Sequence, residues 1–323
     1  MTRYILGRTA ALIFVMLAAS AIVFVLMNNI PGGPFSLGER GYSPDALANL
    51  ERKYGLDKPL LERYVNFVVG AVQFDFGYST AVAGSPPVID VILRTWPVTL
   101  QVGAYTIVLA FGLGLVMGTF AAYHRNSPLD NFITFTATLG IVLPNFIIAT
   151  FLLFIFGFQN GWGDPNKIII GPLTPGGTPV LGWDYFLPVI TYALAPMALV
   201  ARYTRAAVSE ALGADYLRTA RAKGLTDRTI MVRHVFRNAM IPLLTVLLPQ
   251  IPNLLTGSLF IEVVYGIPGL GKFFVTSILN RDYPMTMALI LLIAFFWGLT
   301  YLITDILYMV VDPRVRLTSS RAR

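Results

Sequence analysis

Six long apolar runs constrain this chain more than any other feature. They fall at residues 9–30, 99–123, 131–158, 185–204, 239–261 and 285–311. A hydrocarbon core of about 30 Å takes about 20 helical residues to cross, and each run is long enough. Inside a bilayer the backbone must satisfy its own hydrogen bonds, so such runs fold as helices. Composition agrees: 55% of the 323 residues are hydrophobic, 13% are charged, and the mean hydropathy is +0.67. A soluble domain carries about 25% charged residues. The expected fold is all-α and integral to a membrane, with six transmembrane helices. The first run could be a cleaved signal, with Arg3 and Arg8 before it and Ala18-Ala19-Ser20 inside it. It continues to Met27, too far for a signal core, and reads as an uncleaved anchor.

Basic residues orient the helices. With the N-terminus in the cytoplasm, inner segments hold 15 Lys and Arg, and the short outer loops hold 3. That bias places both termini inside. The domains expected are a first helix with its N-terminus in 1–30, an external loop 31–98, a five-helix core 99–311 and a cytoplasmic tail 312–323. Trp96 and Trp183 fall at outer ends of spans, as interfacial aromatics do. The net charge of +7 is the positive-inside pattern, not a footprint for nucleic acid.

Enzyme chemistry finds little support. There is no Cys, and the two His, His124 and His234, are too few for a His-based zinc site. Neither G-x-S-x-G nor H-E-x-x-H occurs. No catalytic or metal-binding residue is expected. One stretch does imitate a nucleotide site. Gly266, Gly271 and Lys272 fit G-x-x-x-x-G-K, after a run, Leu259 to Tyr265, that reads as extended. Phe273 then stands where the magnesium-binding Ser or Thr belongs. The stretch also lies on the outer side, where no ATP is kept. Gly266, Pro268, Gly269 and Gly271 are therefore expected to form an outer-mouth turn.

Two soluble pieces carry their own signals. In the external loop, Ser43-Pro44-Asp45 starts a helix that Gly55 ends, and a second helix follows Pro59. They are expected to form a small helical cap, either a structural lid or a docking surface for an external partner. In the cytoplasmic loop 205–238, a helix from Asp215 to Lys223 ends at Gly224. Thr226 caps a second helix, with Asp227 in its first turn. A mere tether needs no such helix–turn–helix, and a loop tied to spans at both ends is poorly placed for a DNA duplex. It reads as a docking element for a cytoplasmic subunit.

Polar residues inside the spans are candidates for a pathway. Gln250, Asn253 and Gly257 fall at i, i+3 and i+7 in the fifth run, and Asn145 follows Pro144 in the third. Gln and Asn can bond a peptide backbone without selecting a side chain. They can equally be glue between helices. Asp305 is the one formal charge deep in a span, and a bond to another helix or to the interface is expected of it.

The stretch "TARAKGLTDRTIMVRHVFRNAMIPLLT" resembles the cytoplasmic coupling loop of ABC importer permeases of the peptide/nickel subfamily. "NNIPGGPF", "LDKPLLERYVNFV", "IEVVYGIPGLGKFFVTSILNRDYP" and "DILYMVVDPRVRL" are similar to that subfamily in the same order, over nearly the whole chain. The long external loop looks like the first of the two paired permeases. The general permease motif begins Glu-Ala-Ala and reaches its glycine four residues after the second Ala. Ala220 and Gly224 match, but Arg218-Thr219 replace Glu-Ala, so the Glu contact is not carried over. The resemblance implies a coupling site at Tyr216, Ala220, Lys223, Gly224 and Leu225. It implies a second permease, two ATP-binding subunits that use ATP and Mg, an external solute-binding protein, and a bacterial or archaeal cytoplasmic membrane. It leaves open a peptide, a nickel chelate or another small solute as cargo. Outside the family, a secondary transporter or channel remains; such a protein would need no helix–turn–helix loop.

Overall fold

A computed structural model of the chain describes residues 2–30, 44–53, 55–159 and 186–311. These are helical almost throughout; among them no strand forms, only an isolated bridge between Tyr78 and Pro87. The order is α1 (Thr2–Asn29), α2 (Pro44–Lys53), α3 (Leu60–Val72), α4 (Val88–Tyr123), α5 (Pro128–Val142), α6 (Asn145–Leu152) and α7 (Phe186–Leu212). Then come α8 (Asp215–Ala222), α9 (Asp227–Ile230), α10 (Arg237–Leu247), α11 (Ile251–Thr256), α12 (Ile261–Val264), α13 (Leu270–Leu279) and α14 (Tyr283–Val311). Ser43, Trp183 and the tail 312–323 lie outside the described residues.

Among the described residues four helices are long and apolar enough to cross a membrane: α1, α4, α7 and α14. The third apolar run is not straight. It breaks before Pro144 and turns by 100° between α5 and α6, so the pair counts as a fifth crossing only if it is one bent span. The residue before a proline is pushed out of the helical region, and Leu143 accordingly has ψ 124°. The fifth run is broken too. It divides into α10, a 3₁₀ turn at Leu248–Gln250 with Pro249 at its start, and α11 with Pro252 at its start. The long helices turn apolar side chains outward: Phe14 is 72% exposed, Val108 73% and Val142 69%. Such a surface is stable against lipid, not against water.

Small residues decide which helices touch. Gly114 and Gly118 of α4 face α7, where an added Cβ would meet Val200, Ala201 and Thr204 at under 3 Å. This is close small-residue packing of membrane helices. Gly103 brings α4 equally near the backbone of Leu254 in α11. Gly298 of α14 lets Leu12 of α1 lie against it, and Arg8 pairs with Asp305 across the same two helices at 2.9 Å. The one charge deep in a span is thus bonded to another helix.

The bundle has two distinct ends, separated by the length of α4, about 54 Å for its 36 residues. At one end Val88, Val91 and Ile92 of α4 pack with Leu270, Met285 and Leu289. At the other, Ala122 of α4 packs with Val208, Ala211, Leu217, Ala220 and Ile230. The start of α1, the end of α14 and the α8–α9 turn share the second end, as the Arg8–Asp305 pair and this cluster require. Helices α2 and α3 belong to the first.

Candidate functional site

At the second end, α8 and α9 form a two-helix turn. Helix α8 ends in a full Schellman motif: Gly224 N–H donates to the Arg221 carbonyl at 2.9 Å and Leu225 N–H to the Ala220 carbonyl at 3.3 Å. Gly224 stands at φ +75°, a left-handed conformation that glycine adopts without steric cost. Thr226 Oγ1 then accepts from Thr229 N–H and starts α9. Leu217 and Ala220 bury themselves in the cluster under the turn. The opposite face is open: Tyr216, Arg218, Arg221, Lys223 and Leu225 are exposed. Of the five residues expected here, Ala220 therefore serves the chain's own packing, and Tyr216, Lys223 and Leu225 present side chains outward. Beside this turn, Asp130 at the start of α5 grips Arg205 of α7 through both oxygens, at 2.5 and 2.7 Å. Asn126 N–H and Thr134 Oγ1 also donate to Asp130. This bidentate pair braces the base on which the turn stands.

At the first end, the stretch resembling a phosphate loop binds an anion of its own chain. The segment before it is not extended: Ile261–Val264 is the helical turn α12, which ends at Gly266 with φ +68°. Glu262, buried within α12, accepts from Gly271 N–H at 2.7 Å, Lys272 N–H at 3.2 Å and Thr99 Oγ1 at 3.0 Å. Thr99 Oγ1 in turn accepts from Leu270 N–H at 2.8 Å. The first three amides of α13 are thus all satisfied by side chains from α4 and α12, and Gly269 is the N-cap. A helix N-terminus suits a carboxylate as it suits a phosphate. Burial pushes Glu262 up to about 7, while the donors of Lys272, Thr99 and Gly271 pull it down. The glycines leave room for the carboxylate. A Cβ on Gly257 or Gly269 would come within 2.4 Å of a Glu262 oxygen, and one on Gly271 within 3.0 Å. Pro268 lies in the link between Gly266 and Gly269.

The polar residues expected in the fifth span fall on three parts of it. Gln250 sits in the 3₁₀ turn, Asn253 in α11, and Gly257 ends α11 with φ +89°. Gly257 lies against the Glu262 carboxylate, where an added Cβ would come within 2.4 Å of Oε1. Asn253 remains exposed on α11, where its carbonyl accepts from Tyr192 Oη at 2.6 Å. Gln250 and Asn145 are half-buried. Sequence reasoning missed Glu262, Thr99 and the Asp130–Arg205 pair. A lone acid in the apolar "LFIEVVYG", just ahead of a glycine-rich turn, was the available signal. Among the described residues no three His, Asp or Glu gather as metal ligands.

Comparison with known proteins gives this geometry a family. Residues 114–317 match the model of the binding-protein-dependent transport system inner membrane component, and residues 1–103 match that of its N-terminal region. The chain is 39% identical over 317 residues to the dipeptide transport system permease protein DppB of Bacillus subtilis (strain 168), covering 98% of this chain and 99% of that one. It is 37% identical to the protein of the same name from Lactococcus lactis subsp. cremoris (strain MG1363), over 98% of this chain and all of the relative. It is 35% identical to the oligopeptide transport system permease protein OppB of Salmonella typhimurium, again over 98% and 100%.

Proposed function

The chain belongs to the family of inner membrane components of binding-protein-dependent transport systems, and from that premise we propose that it is the permease subunit of a peptide importer driven by separate ATPases. The names of its relatives, dipeptide and oligopeptide permeases matched over nearly their full length, support peptide as cargo. In this reading the chain itself makes and breaks no covalent bond. It pairs with a second permease, receives its solute from an external binding protein, and is moved by two subunits that consume ATP and Mg. The membrane is the cytoplasmic one of a prokaryote, and the 15-to-3 bias in basic residues puts both termini and the two-helix turn inside. Six crossings follow if α5–α6 counts as one bent span and α10–α11 as one broken span.

The observation that carries the mechanism is the α8–α9 turn. One face is buried against α4 and α7 and the other is exposed with its helix sharply ended. A short helix of this kind can sit in a groove of an ATPase and pass its displacement to α7 and α10, which flank it. At the other end, α4, α12 and α13 are clamped by Glu262 and Thr99, so they move as one body. Asn253, Gln250 and Asn145 line the pathway in this reading, donating to and accepting from peptide backbone. The test is uptake of a labelled dipeptide and a labelled pentapeptide by cells lacking the gene, with and without a plasmid copy. Restoration of either by the copy is expected. Unchanged uptake of both on deletion, alongside loss of a nickel chelate or a sugar, would overturn peptide as the cargo.

A further inference from the structure

A cavity of about 540 Å³ opens at the first end of the bundle, between α3, the 74–80 segment and the start of α14. Its lining includes Arg52, Lys58, Arg63, Asn66, Thr80 and Tyr283. Three of these are cations; Lys58 Nζ already pairs with Glu62 at 2.8 Å, and Arg52 donates to Asn49 Oδ1 and the Ala48 carbonyl, which leaves Arg63. The only acid in the lining is Asp75, whose Oδ1 already accepts from Gly77 N–H. Nearby Asp282 is buried and committed: it accepts from Ser79 Oγ, Ala81 N–H and Met285 N–H. Arg63 is half-buried and forms no ion pair among the described residues; its guanidinium lies over the Phe24 ring, 5.8 Å from the centroid. Thr80 Oγ1 is buried without a hydrogen-bond partner. A partly dehydrated guanidinium and an unsatisfied hydroxyl in one cavity ask for an anion with acceptor oxygens.

The position of α3 says where that anion comes from. Tyr64 Oη donates to the Leu17 carbonyl at 3.0 Å and lies 3.0 Å from Ser20 Oγ, so α3 rests against the membrane-crossing part of α1. Leu61, Val65, Val69 and Val72 follow one face of α3 and are exposed, at 74%, 49%, 52% and 78%. Arg63, Asn66 and Gly70 follow the opposite face and line the cavity. A helix with an apolar face out beside a span and a polar face behind it, here carrying Arg63, lies in the membrane interface. Its apolar face then meets acyl chains, and Arg63 lies at the level of lipid headgroups.

The geometry points to a lipid site: the Arg63 cavity binds the headgroup phosphate of a membrane phospholipid, with Thr80 beside it. This stands apart from the transport reading, because it needs neither the cargo nor the ATPases to be as proposed. The purified full transporter in detergent, titrated with dioctanoyl phosphatidylglycerol, should show a saturable rise in thermal midpoint. Dioctanoylglycerol, which lacks the phosphate, should give none. Arg63→Gln should weaken the apparent affinity about tenfold, the loss of one charge-assisted contact. Thr80→Val should weaken it several-fold, while Arg94→Gln, at an exposed base outside the cavity, should match the wild type. Equal stabilisation by inorganic phosphate would make this a free-anion site and overturn the lipid. Wild-type affinity in both Arg63→Gln and Thr80→Val would remove the cavity from lipid binding altogether.

Discussion

Glu262 carries an unusual burden for a single side chain, because three elements meet on its two oxygens. Its donors are Gly271 N–H, Lys272 N–H and Thr99 Oγ1. Glu262→Gln would turn an amide N–H₂ toward Thr99 Oγ1 and leave that hydroxyl's proton without its present acceptor. The unmatched buried group should cost about 2 kcal/mol, read as a lower thermal midpoint of the purified transporter. An unchanged midpoint would show that the clamp contributes nothing. Lys272→Ala makes the opposite point. It keeps the N–H that Glu262 needs and removes only the side chain, so ATP hydrolysis by the assembled transporter should stay intact. A loss as deep as that from deleting the phosphate-binding lysine of an ATPase would mean that this stretch holds nucleotide after all. Gly269 shows why the motif is glycine-rich: a Cβ there would sit 2.4 Å from Glu262 Oε2.

Two helices in this chain end where glycine allows the left-handed turn. Gly224 after α8 and Gly266 after α12 both close Schellman motifs, at φ +75° and +68°. Neither would meet another atom within 4 Å if given a Cβ, so the cost of substitution lies in the backbone and not in a clash. Gly224→Val should carry a penalty of about 1–2 kcal/mol at that turn, and the helix would continue or re-aim. The transporter should still assemble in the membrane, with weaker retention of the ATPases or hydrolysis uncoupled from uptake. Co-purification together with uptake in proteoliposomes checks this; wild-type values for both would take α8 out of the coupling mechanism. Along α11 the argument concerns the pathway. Asn253 is exposed there, so Asn253→Leu should change peptide uptake while assembly and basal hydrolysis stand. Uptake unaltered for every peptide would make Asn253 glue between subunits.

For the molecule as a whole, the two ends of α4 are the axis that matters. One end carries the cap helices and the Glu262 clamp, and the other carries both described chain ends and the two-helix turn. The absence of cysteine makes the orientation directly measurable. A cysteine introduced at Ala83, exposed at the cap end, should react with an impermeant maleimide added to intact cells. One introduced at Arg228, exposed in α9, should react only after permeabilisation. The reverse pattern would invert the topology and with it the assignment of the turn to the ATPase side.

Local rules sufficed wherever a feature depends on a few neighbouring residues. The apolar runs, the start of α3 after Pro59, the stop at Gly224 and the cap at Thr226 are of that kind, because run length, left-handed turns and capping are decided within one or two helical turns. The family resemblance was legible too, because it rests on contiguous stretches. Tertiary structure decided the rest. The bend at Pro144 and the breaks at Pro249 and Pro252 could each have been a tolerated kink, and only packing partners determine whether a proline bends a span or divides it. The pairing of Asp130 with Arg205 joins residues 75 positions apart, and that of Thr99 with Glu262 joins residues 163 apart. Desolvation makes each of these charges untenable alone, but a sequence does not say which donor will reach it. The "GIPGLGK" turn is the sharpest case: its amides do bind an anion, and the fold supplies that anion as Glu262.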